Sequence, residues 1–411
     1  MKSSARFSRS VLLIVALAVV PLNFSPIADA ATKSVAIKKV DVLTTAPGAE
    51  GLLISGKTLI TYVNTGGVNS NVVLTGLDPN GTQLWQKTID SGADEIALAG
   101  AVDSSGNLWL AGASAQVVAA EITTVQLPPD NPDGVVAEPV TKLRSDMSLL
   151  TMWKLSPTGD LLATYSLTQP TPALISAISA NASGVSLVGR SADKSFALSM
   201  TSTGAFGKLI TIGTSKTQLN AVVRSADSTM SVFGSSSETL GGKKNSGIRD
   251  GILIKINKAG AVTSVVRSSA PKADRSWNYS DASLALTGYV KTGKKIESAI
   301  TKFTAAFAPT WTIRIPSSGA SIVATSGALT YGALTYAALG SNSVVTGVSG
   351  WKPTTTQLLL LAFDSKGVIA SAYGASELSN PLALAYSKEI GLYGLAQGAD
   401  GSVSIFHIAA K

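Results

Sequence analysis

Short apolar segments alternate with glycine-containing turns over most of the chain. One recurring unit is an apolar strand that ends at glycine, with copies at residues 106–112, 184–189, 229–234, 283–288, 343–347 and 390–394. A second unit is an alternating strand, a tight turn and another strand, with copies at residues 72–89, 151–165, 196–204, 251–260 and 358–367. Alternation with a period of two is typical of strands with one buried face. The pattern therefore predicts an all-β protein built from antiparallel hairpins.

The turn positions of the second unit give the length of the repeat. Gly159 and Gly204 are 45 residues apart, and Gly260 is 47 residues from Phe307, which stands where the turn glycine of its copy belongs. A four-stranded propeller blade takes about 40 to 50 residues. We therefore predict a single β-propeller of seven four-stranded blades. The predicted starts lie near residues 50, 95, 173, 217, 277, 325 and 381.

The inner strands and the closure of the ring can also be placed. Small apolar segments suit the crowded axis, and we expect inner strands at residues 96–101, 174–180, 219–223, 328–333 and 382–385. The last repeat has only three strands, and residues 34–43 can supply its outer strand. Pairing the N- and C-terminal strands would remove an exposed sheet edge. An open β-solenoid and a pair of β-sandwiches are the alternatives.

These repeats resemble those of bacterial exported β-propellers, in which an Asp, a Lys, a turn Gly and a Trp recur along the third and fourth strands. The matching copies run from Asp250 to Gly260 and from Asp78 to Trp85. The chain is similar, more distantly, to quinoprotein-type and WD40-like repeats that end in Gly-x-x-x-Trp, although only Trp85 and Trp311 keep the Trp. Quinone-dependent relatives use a calcium-binding acidic set and often vicinal cysteines. Neither is found in this sequence, so the resemblance implies a propeller and we predict no cofactor.

The N-terminal residues have the pattern of an export signal. Lys2, Arg6 and Arg9 precede an apolar run at residues 11–20, and Ala28-Asp29-Ala30 offers a cleavage site near Ala30/Ala31. We predict a signal peptide at residues 1–30 and a propeller domain at residues 31–411, exported to the periplasm, the cell surface or the medium. An uncleaved anchor is the alternative, but the run is shorter than the roughly 20 residues that span a bilayer.

Composition excludes several chemistries. With no Cys and one His, the chain lacks ligands for zinc–thiolate sites, iron–sulfur clusters and multi-histidine metal sites, and it has no thiol for catalysis. Removal of residues 1–30 lowers the formal net charge from +8 to +6. Lys243, Lys244 and Arg249 share one loop, which would suit an acidic polymer or lipid headgroups, or simply be solvated. No aromatic residues interleave these cations, so nucleic acid is not an expected partner.

The candidate carboxylates are mostly explained by turns. Asp78, Asp160, Asp250 and Asp364 lie beside turns, where capping is their expected role. His407 lies in the C-terminal strand and is interpreted as structural. A Pro-rich insertion at residues 115–146 interrupts the second blade and is the least generic segment. We predict a ligand surface from this insertion and the basic loop, formed by Glu121, Asp130, Asp133, Glu138, Lys243, Lys244 and Arg249.

Two functional hypotheses follow. The first is a non-catalytic binding or scaffolding module of the envelope, a monomer whose partner is an envelope protein or a polysaccharide. The second is an exported hydrolase or lyase that degrades a polymer in the central cleft, for which the insertion offers carboxylates but no rigid scaffold to fix their separation. Three or more convergent polar groups at the axis would favour the enzyme. Small and apolar inner strands, as in this sequence, favour the binding module.

Overall fold

The regular structure consists of β-strands. The computed structural model describes residues 34–66, 69–116, 144, 146–317, 321–336 and 345–408, and within them the chain forms 30 strands. The first fifteen are β1 (Val35–Lys39), β2 (Asp41–Thr45), β3 (Gly51–Ser55), β4 (Thr58–Asn64), β5 (Val72–Leu77), β6 (Gln83–Ile89), β7 (Glu95–Val102), β8 (Leu108–Ser114), β9 (Leu149–Leu155), β10 (Leu161–Thr168), β11 (Ala173–Asn181), β12 (Gly184–Ser191), β13 (Lys194–Thr201), β14 (Ile210–Ile212) and β15 (Thr217–Arg224). The others are β16 (Met230–Ser236), β17 (Asp250–Ile256), β18 (Val262–Ser268), β19 (Asp274–Ser280), β20 (Ala285–Thr292), β21 (Lys295–Phe303), β22 (Pro309–Pro316), β23 (Ser321–Thr325), β24 (Thr330–Tyr336), β25 (Val348–Ser349), β26 (Gln357–Phe363), β27 (Ile369–Ala375), β28 (Asn380–Ser387), β29 (Gly391–Gln397) and β30 (Val403–Ile408).

The strands form one β-propeller, but not the seven four-stranded blades that the sequence predicted. In the described residues six sheets have four strands: β3–β6, β7–β10, β11–β14, β15–β18, β19–β22, and β28–β30 with β2 outermost. The remaining sheet has six strands in the order β23-β24-β26-β27-β1-β25. The prediction of seven such blades is therefore wrong, because one sheet of the ring recruits two additional strands. The first strands contact one another in the order β3, β7, β11, β15, β19, β23, β28 and back to β3, and they surround the axis.

The N-terminal segment causes much of this difference. Residues 34–43 were expected to form one closing strand, but the chain divides at Val40. β1 pairs in parallel with β27, while β2 pairs antiparallel with β30 and places Asp41 opposite His407. Val40 is 1% exposed and packs with side chains of both sheets, including Leu360 and Leu392. Burial of this one side chain between the sheets explains why the segment serves two of them.

The strand assignments also differ in the six-stranded sheet. Residues 328–333, expected to be an inner strand, fall largely in β24, which is the second strand, and β23 takes the inner place. The turn between them is capped by Ser326, whose hydroxyl accepts a hydrogen bond from the N–H of Leu329 at 3.0 Å. The predicted strand at residues 343–347 is absent from the described part, where residues 345–347 precede β25 without strand structure.

The turn chemistry follows the sequence closely. The glycines predicted at the tips of the hairpins between third and fourth strands have positive φ, between 81° and 93°. Asp78 and Asp364 cap two of these turns, each through one carboxylate oxygen that accepts two backbone N–H groups. Phe307, which replaces the glycine, also has positive φ (63°) and is buried against Phe233. Its burial compensates for a backbone conformation that normally favours glycine.

Neighbouring sheets are joined by aromatic rings that lie on these turn glycines. Trp85 of β6 covers Gly159 in the next sheet, and a Cβ atom at Gly159 would be 2.5 Å from the indole ring. Trp311 covers Gly367 in the same way, and Tyr165 covers Gly204. The aromatic residue of the repeat thus forms a contact between neighbouring blades. In the second blade Tyr165 makes this contact, two residues after the position at which the repeat pattern has a Trp.

The part of the chain described by the structure contains no helix with the length and apolar character needed to cross a membrane.

Candidate functional site

The axis of the propeller is a narrow channel lined by first strands. Its enclosed cavity has a volume of about 210 Å³. Small residues such as Gly100, Ala177, Ala221 and Ala383 line it because the first strands approach one another closely. The polar lining residues are Glu50, Tyr62, Ser176, Asn220, Tyr279 and Ser280. Most lining residues of the channel are apolar, but its polar groups contribute much of the surface that faces the cavity, and their partners decide what the channel can do.

Glu50 is the one carboxylate of the channel lining, and an amide positions it. The Asn64 Nδ2 atom donates to Glu50 Oε2 at 2.8 Å and also to the carbonyl of Ala97 at 2.8 Å. Asn64 Oδ1 accepts the N–H of Ala97 at 2.8 Å, so the amide ties β4 to the first strand of the next sheet. Glu50 is an exposed residue at the mouth of the channel, but the neighbouring walls remove part of the water around its carboxyl group, which raises its pKa, while the hydrogen bond from Asn64 opposes the shift.

Two tyrosines share the channel with Glu50. The Tyr62 ring lies directly over Gly51, where a Cβ atom would be 2.3 Å from it. Burial raises the pKa of the Tyr62 phenol, and the nearby Glu50 and Tyr279 add to the shift. Burial likewise raises the pKa of Tyr279. Both phenols therefore stay protonated near neutral pH and can donate hydrogen bonds, but neither is suited to act as a base.

The two ends of the channel differ in character. We call the side that carries the connections between second and third strands the loop face (residues 65–71, 115–148, 192–193, 237–249 and 293–294), and the opposite side the turn face. Consecutive connections of an antiparallel sheet alternate between its ends, so this division holds for each sheet. Residues 115–146 and 243–249 both connect second to third strands. The two predicted ligand loops therefore begin and end on the same face.

The mouth of the channel on the loop face is polar but internally hydrogen-bonded. A recess of about 400 Å³ is lined by Ser176, Gln218, Asn220, Ser276, Asn278 and Tyr289. The Asn220 amide donates to the carbonyl of Trp277 at 3.0 Å and to Ser276 Oγ at 3.2 Å. The Ser276 hydroxyl in turn donates to Asn278 Oδ1 at 2.7 Å. These groups mainly join the fourth and fifth four-stranded sheets.

The mouth on the turn face is wider, at about 550 Å³, and contains Asp281 and Lys302. Lys302 Nζ donates to the carbonyl of Ser283 at 2.6 Å. Burial lowers the pKa of Lys302, and the nearby Asp281 opposes the shift. Asp281 Oδ1 accepts the N–H groups of Ser283 and Ala285. Both charged groups therefore serve a turn between first and second strands, as in an ordinary capped hairpin.

The basic loop of the predicted ligand surface is held from beneath by a buried ion pair. Lys243 and Lys244 are exposed, and Arg249 lies 3.6 Å from Asp274. Asp250 is fully buried, accepts the N–H groups of Ser246 and Gly247, and pairs with Arg267 at 3.3 Å. The role of Asp250 is therefore more than the turn cap expected from the sequence, since it anchors the whole connection between β16 and β17.

The structure does not describe the acidic residues of the predicted ligand surface. Glu121, Asp130, Asp133 and Glu138 lie outside the described residues, so their role stays a prediction.

At the base of that insertion the structure shows a group that sequence reasoning missed. The Glu95 side chain is buried; one carboxylate oxygen accepts the N–H of Ser91 at 3.0 Å, and the other has no hydrogen-bond partner. Burial raises the pKa of Glu95, and its bonds to Ser91 oppose the shift. Nearby, Arg144 bonds to Asp94 and Asp146 and fixes the end of the insertion. The only sequence signal was a charged residue at the start of an otherwise apolar strand.

The remaining candidates do not form a catalytic or metal site. His407 stacks on Tyr393, with ring centroids 5.2 Å apart, at the outer closure between β30 and β2. Asp160 pairs with Lys87 at 2.8 Å on the surface. Across the ranges that the structure covers, no three carboxylate or imidazole groups come together as metal ligands would.

Comparison with known proteins gives only distant structural likenesses. No family model matches the chain, and no curated protein matches it. Similar solved structures include the WD40 domain of Toxoplasma gondii coronin (12% identity, 92% of this chain and 89% of that one, TM-score 0.49). Others are a Pseudomonas aeruginosa periplasmic gluconolactonase (14%, 79% and 84%, 0.44) and the propeller domain of the Pyrococcus furiosus trilobed protease (8%, 89% and 95%, 0.46). At these identities and scores, the likenesses carry no information about function. The sheet topology itself shows a β-propeller, and the resemblance to bacterial exported repeats extends only to that fold.

Proposed function

We propose that this protein is an exported, non-catalytic β-propeller that binds an envelope protein or polysaccharide through its loop face. Export rests on the signal pattern of residues 1–30, which lies outside the described residues. The observation that carries the non-catalytic role is the lining of the axial channel. The described lining residues include six polar ones, more than the three that would favour an enzyme, but Glu50 is the one carboxylate among them, so a pair of carboxyl groups is lacking.

The enzyme alternative lacks a partner for Glu50. Hydrolysis of a glycosidic bond by the usual route needs two carboxyl groups at a fixed separation, and a lyase needs a base that can lose its proton. The channel offers one carboxyl group and two tyrosines whose pKa values are raised by burial. At the two mouths Asn220, Asp281 and Lys302 are already engaged with backbone or with neighbouring side chains. A binding protein does not need such a pair of titrating groups.

The loop face is favoured as the binding surface because it carries both exceptional connections. The connection between β8 and β9 spans residues 115–148, and the connection between β16 and β17 presents the exposed Lys243 and Lys244. Long connections inside compact domains tend to be functional, and rigid scaffolds commonly bind through such loops. The Asp250–Arg267 pair gives the basic loop a rigid base.

Capture experiments with matched variants test this proposal. The protein is immobilised and incubated with solubilised envelope and culture supernatant of the source cells, and bound material is quantified. Deletion of residues 118–143 and the double variant Lys243→Ser/Lys244→Ser should each reduce capture. Lys258→Ser removes an exposed lysine on the turn face and should leave capture unchanged. All variants should keep the thermal transition of the unaltered protein.

Two results would contradict the proposal. Capture that is the same in the deletion, the double lysine variant and the control would show that the loop face is not the binding surface. Cleavage of the captured polymer, detected as new reducing ends and lost in Glu50→Gln, would show that the protein is an enzyme. Glu50→Gln is otherwise expected to leave capture intact, because Glu50 lies at the mouth of the channel and belongs to neither of the two exceptional connections.

A further inference from the structure

Three arginines are buried in the described part of the propeller, and two of them are fully explained by their partners. Arg224 donates to Ser183 Oγ, Ser186 Oγ and the carbonyls of Ser183 and Val185. The side chain of Arg267 pairs with Asp250 and donates to three backbone carbonyls. A buried guanidinium is normally tolerated only with such compensation, because removal of its charge from water is costly.

Arg275 is the exception. It is 7% exposed, yet within the described part of the chain no carboxylate pairs with it and its side chain makes no hydrogen bond. Its Nε atom is enclosed without a described partner, whereas its two terminal nitrogens are not fully enclosed. Burial, together with the neighbouring Arg314, lowers the pKa of Arg275 to about 10, but the group remains a cation at neutral pH.

The surroundings hold this cation in place rather than neutralise it. The guanidinium lies over the Trp277 ring, 4.4 Å from the centroid, in a cation–π contact that fixes its plane. The Trp277 Nε1–H is also buried without an acceptor. A planar guanidinium with free terminal N–H groups is pre-organised for bidentate recognition of an oxyanion.

Arg275 adjoins the basic loop of the loop face. The Arg275 N–H donates to the carbonyl of Arg249 at 3.0 Å, and the N–H of Ile248 donates to the carbonyl of Ala273 at 2.9 Å. These bonds fix the end of the loop that carries Lys243 and Lys244 on the start of β19. Arg249 and Arg314 remain partly exposed, and each has a carboxylate beside it, Asp274 at 3.6 Å and Glu297 at 3.9 Å. Of these three arginines, Arg275 is therefore the one with no carboxylate beside it among the described residues.

We infer that Arg275 is the centre of a binding site for an oxyanion carried by an acidic polysaccharide. The terminal guanidinium nitrogens of Arg275 pair with a carboxylate or a sulfate ester, and the adjoining lysines attract the rest of the charged chain. This inference rests on the proposed binding function and names the ligand chemistry of the same face. It also explains the tolerance of an unpaired buried cation, since the ligand supplies the missing negative charge.

Calorimetric titration at constant ionic strength tests the site. The probes are oligogalacturonate for a carboxylate, oligomeric dextran sulfate for a sulfate ester, and neutral dextran of similar length. Arg275→Met keeps the stem of the side chain and removes the charge, and Arg190→Met removes one from an exposed arginine of β12. We expect at least one anionic probe to bind the unaltered protein and Arg190→Met alike, neutral dextran to bind neither, and Arg275→Met to weaken binding roughly tenfold or more.

Stability measurements exclude a purely structural role and keep the test valid. Without ligand, Arg275→Met should be at least as stable to denaturant as the unaltered protein, because it removes an uncompensated buried charge, whereas Arg224→Met should be less stable. The anionic probe should stabilise the unaltered protein but not Arg275→Met. If Arg275→Met does not fold, Arg275→Lys, which keeps the charge but loses the planar fork, should still show weakened binding.

The inference is overturned if neither anionic probe binds, or if Arg275→Met and Arg190→Met bind equally well. It is also overturned if Arg275→Met is destabilised as much as Arg224→Met while its affinity for the probe is unchanged. Failure here is distinguishable from failure of the proposed function. Capture of an envelope component that depends on Lys243 and Lys244 but not on Arg275 would leave the binding role in place and remove only this site.

Discussion

The contact between Trp85 and Gly159 offers a direct test of how neighbouring sheets are locked together. Gly159 has φ 81°, and a Cβ atom there would be 2.5 Å from the Trp85 ring. The substitution Gly159→Ala therefore introduces two separate penalties. One is the cost of a left-handed backbone for alanine, and the other is displacement of the indole ring.

Each penalty has a rough size. The left-handed conformation costs alanine about 1–2 kcal/mol, which is partly offset by about 0.4–1 kcal/mol from the lower entropy of its unfolded chain. Overpacking against a held side chain adds about 1–3 kcal/mol. We expect Gly159→Ala to lower the free energy of unfolding by about 2–4 kcal/mol. Gly92 is the matched control, because its φ is 82° and no atom lies within 4 Å of its Cβ position. Gly92→Ala should cost only about 1 kcal/mol.

Chemical denaturation of the four proteins in a double-mutant cycle separates the two penalties. The variants are Gly159→Ala, Trp85→Ala, their combination and the unaltered protein. If the ring is the obstacle, Gly159→Ala should cost no more in the Trp85→Ala background than Gly92→Ala costs in the unaltered protein. An equal cost of Gly159→Ala in both backgrounds, or equal costs at Gly159 and Gly92, would refute the idea that this contact locks the sheets.

Three further predictions follow from buried groups. Phe307→Gly should be more stable than Phe307→Ala by about 1 kcal/mol, because the positive φ at this position favours glycine over alanine. Thermal unfolding of both variants measures the difference, and a more stable Phe307→Ala would contradict the prediction. Asp250→Ala should lower the free energy of unfolding by about 3–5 kcal/mol, because it leaves Arg267 buried without its partner. Denaturant unfolding measures this loss, with Asp160→Ala as an exposed control that should cost less. Equal losses in the two variants would contradict the prediction. The raised pKa of Glu50 means that its contribution to stability is fully present below its unfolded pKa near 4.5 and is lost as the pH rises through the higher folded value. Relative to Glu50→Gln, the unaltered protein should therefore lose stability as the pH rises above the unfolded pKa near 4.5, and parallel pH profiles would contradict this.

The local features of the fold could be derived from the sequence because each depends on a few adjacent residues. A capping Asp followed by Gly, as at Asp78 and Gly81, specifies a tight turn whatever lies around it. The alternating apolar positions then fix which face of each strand is buried. The same local reasoning explains why the sequence identified a departure at Phe307 but could not say that burial against Phe233 accommodates it.

The candidate site was less accessible to sequence reasoning. Lys243, Lys244 and Arg249 were found because charged residues in a Gly- and Ser-rich loop stand out, and the order of strands placed them on one face with the insertion. Glu50 was missed, since nothing in its neighbours along the chain shows that it lines the axis. Arg275 can be seen in the sequence only as one more basic residue near a loop, because its burial and its contact with Trp277 are set by packing.

By itself, the sequence determined the strands, their turns and the repetition that makes this chain a β-propeller, because these depend on contacts between residues close in the chain. Only the tertiary structure decided how the ends are used. Val40 divides the N-terminal segment between two sheets, and one sheet thereby grows to six strands. Packing between distant segments made that choice, and it also decided which charges are paired and left Arg275 without a partner among the residues that the structure describes.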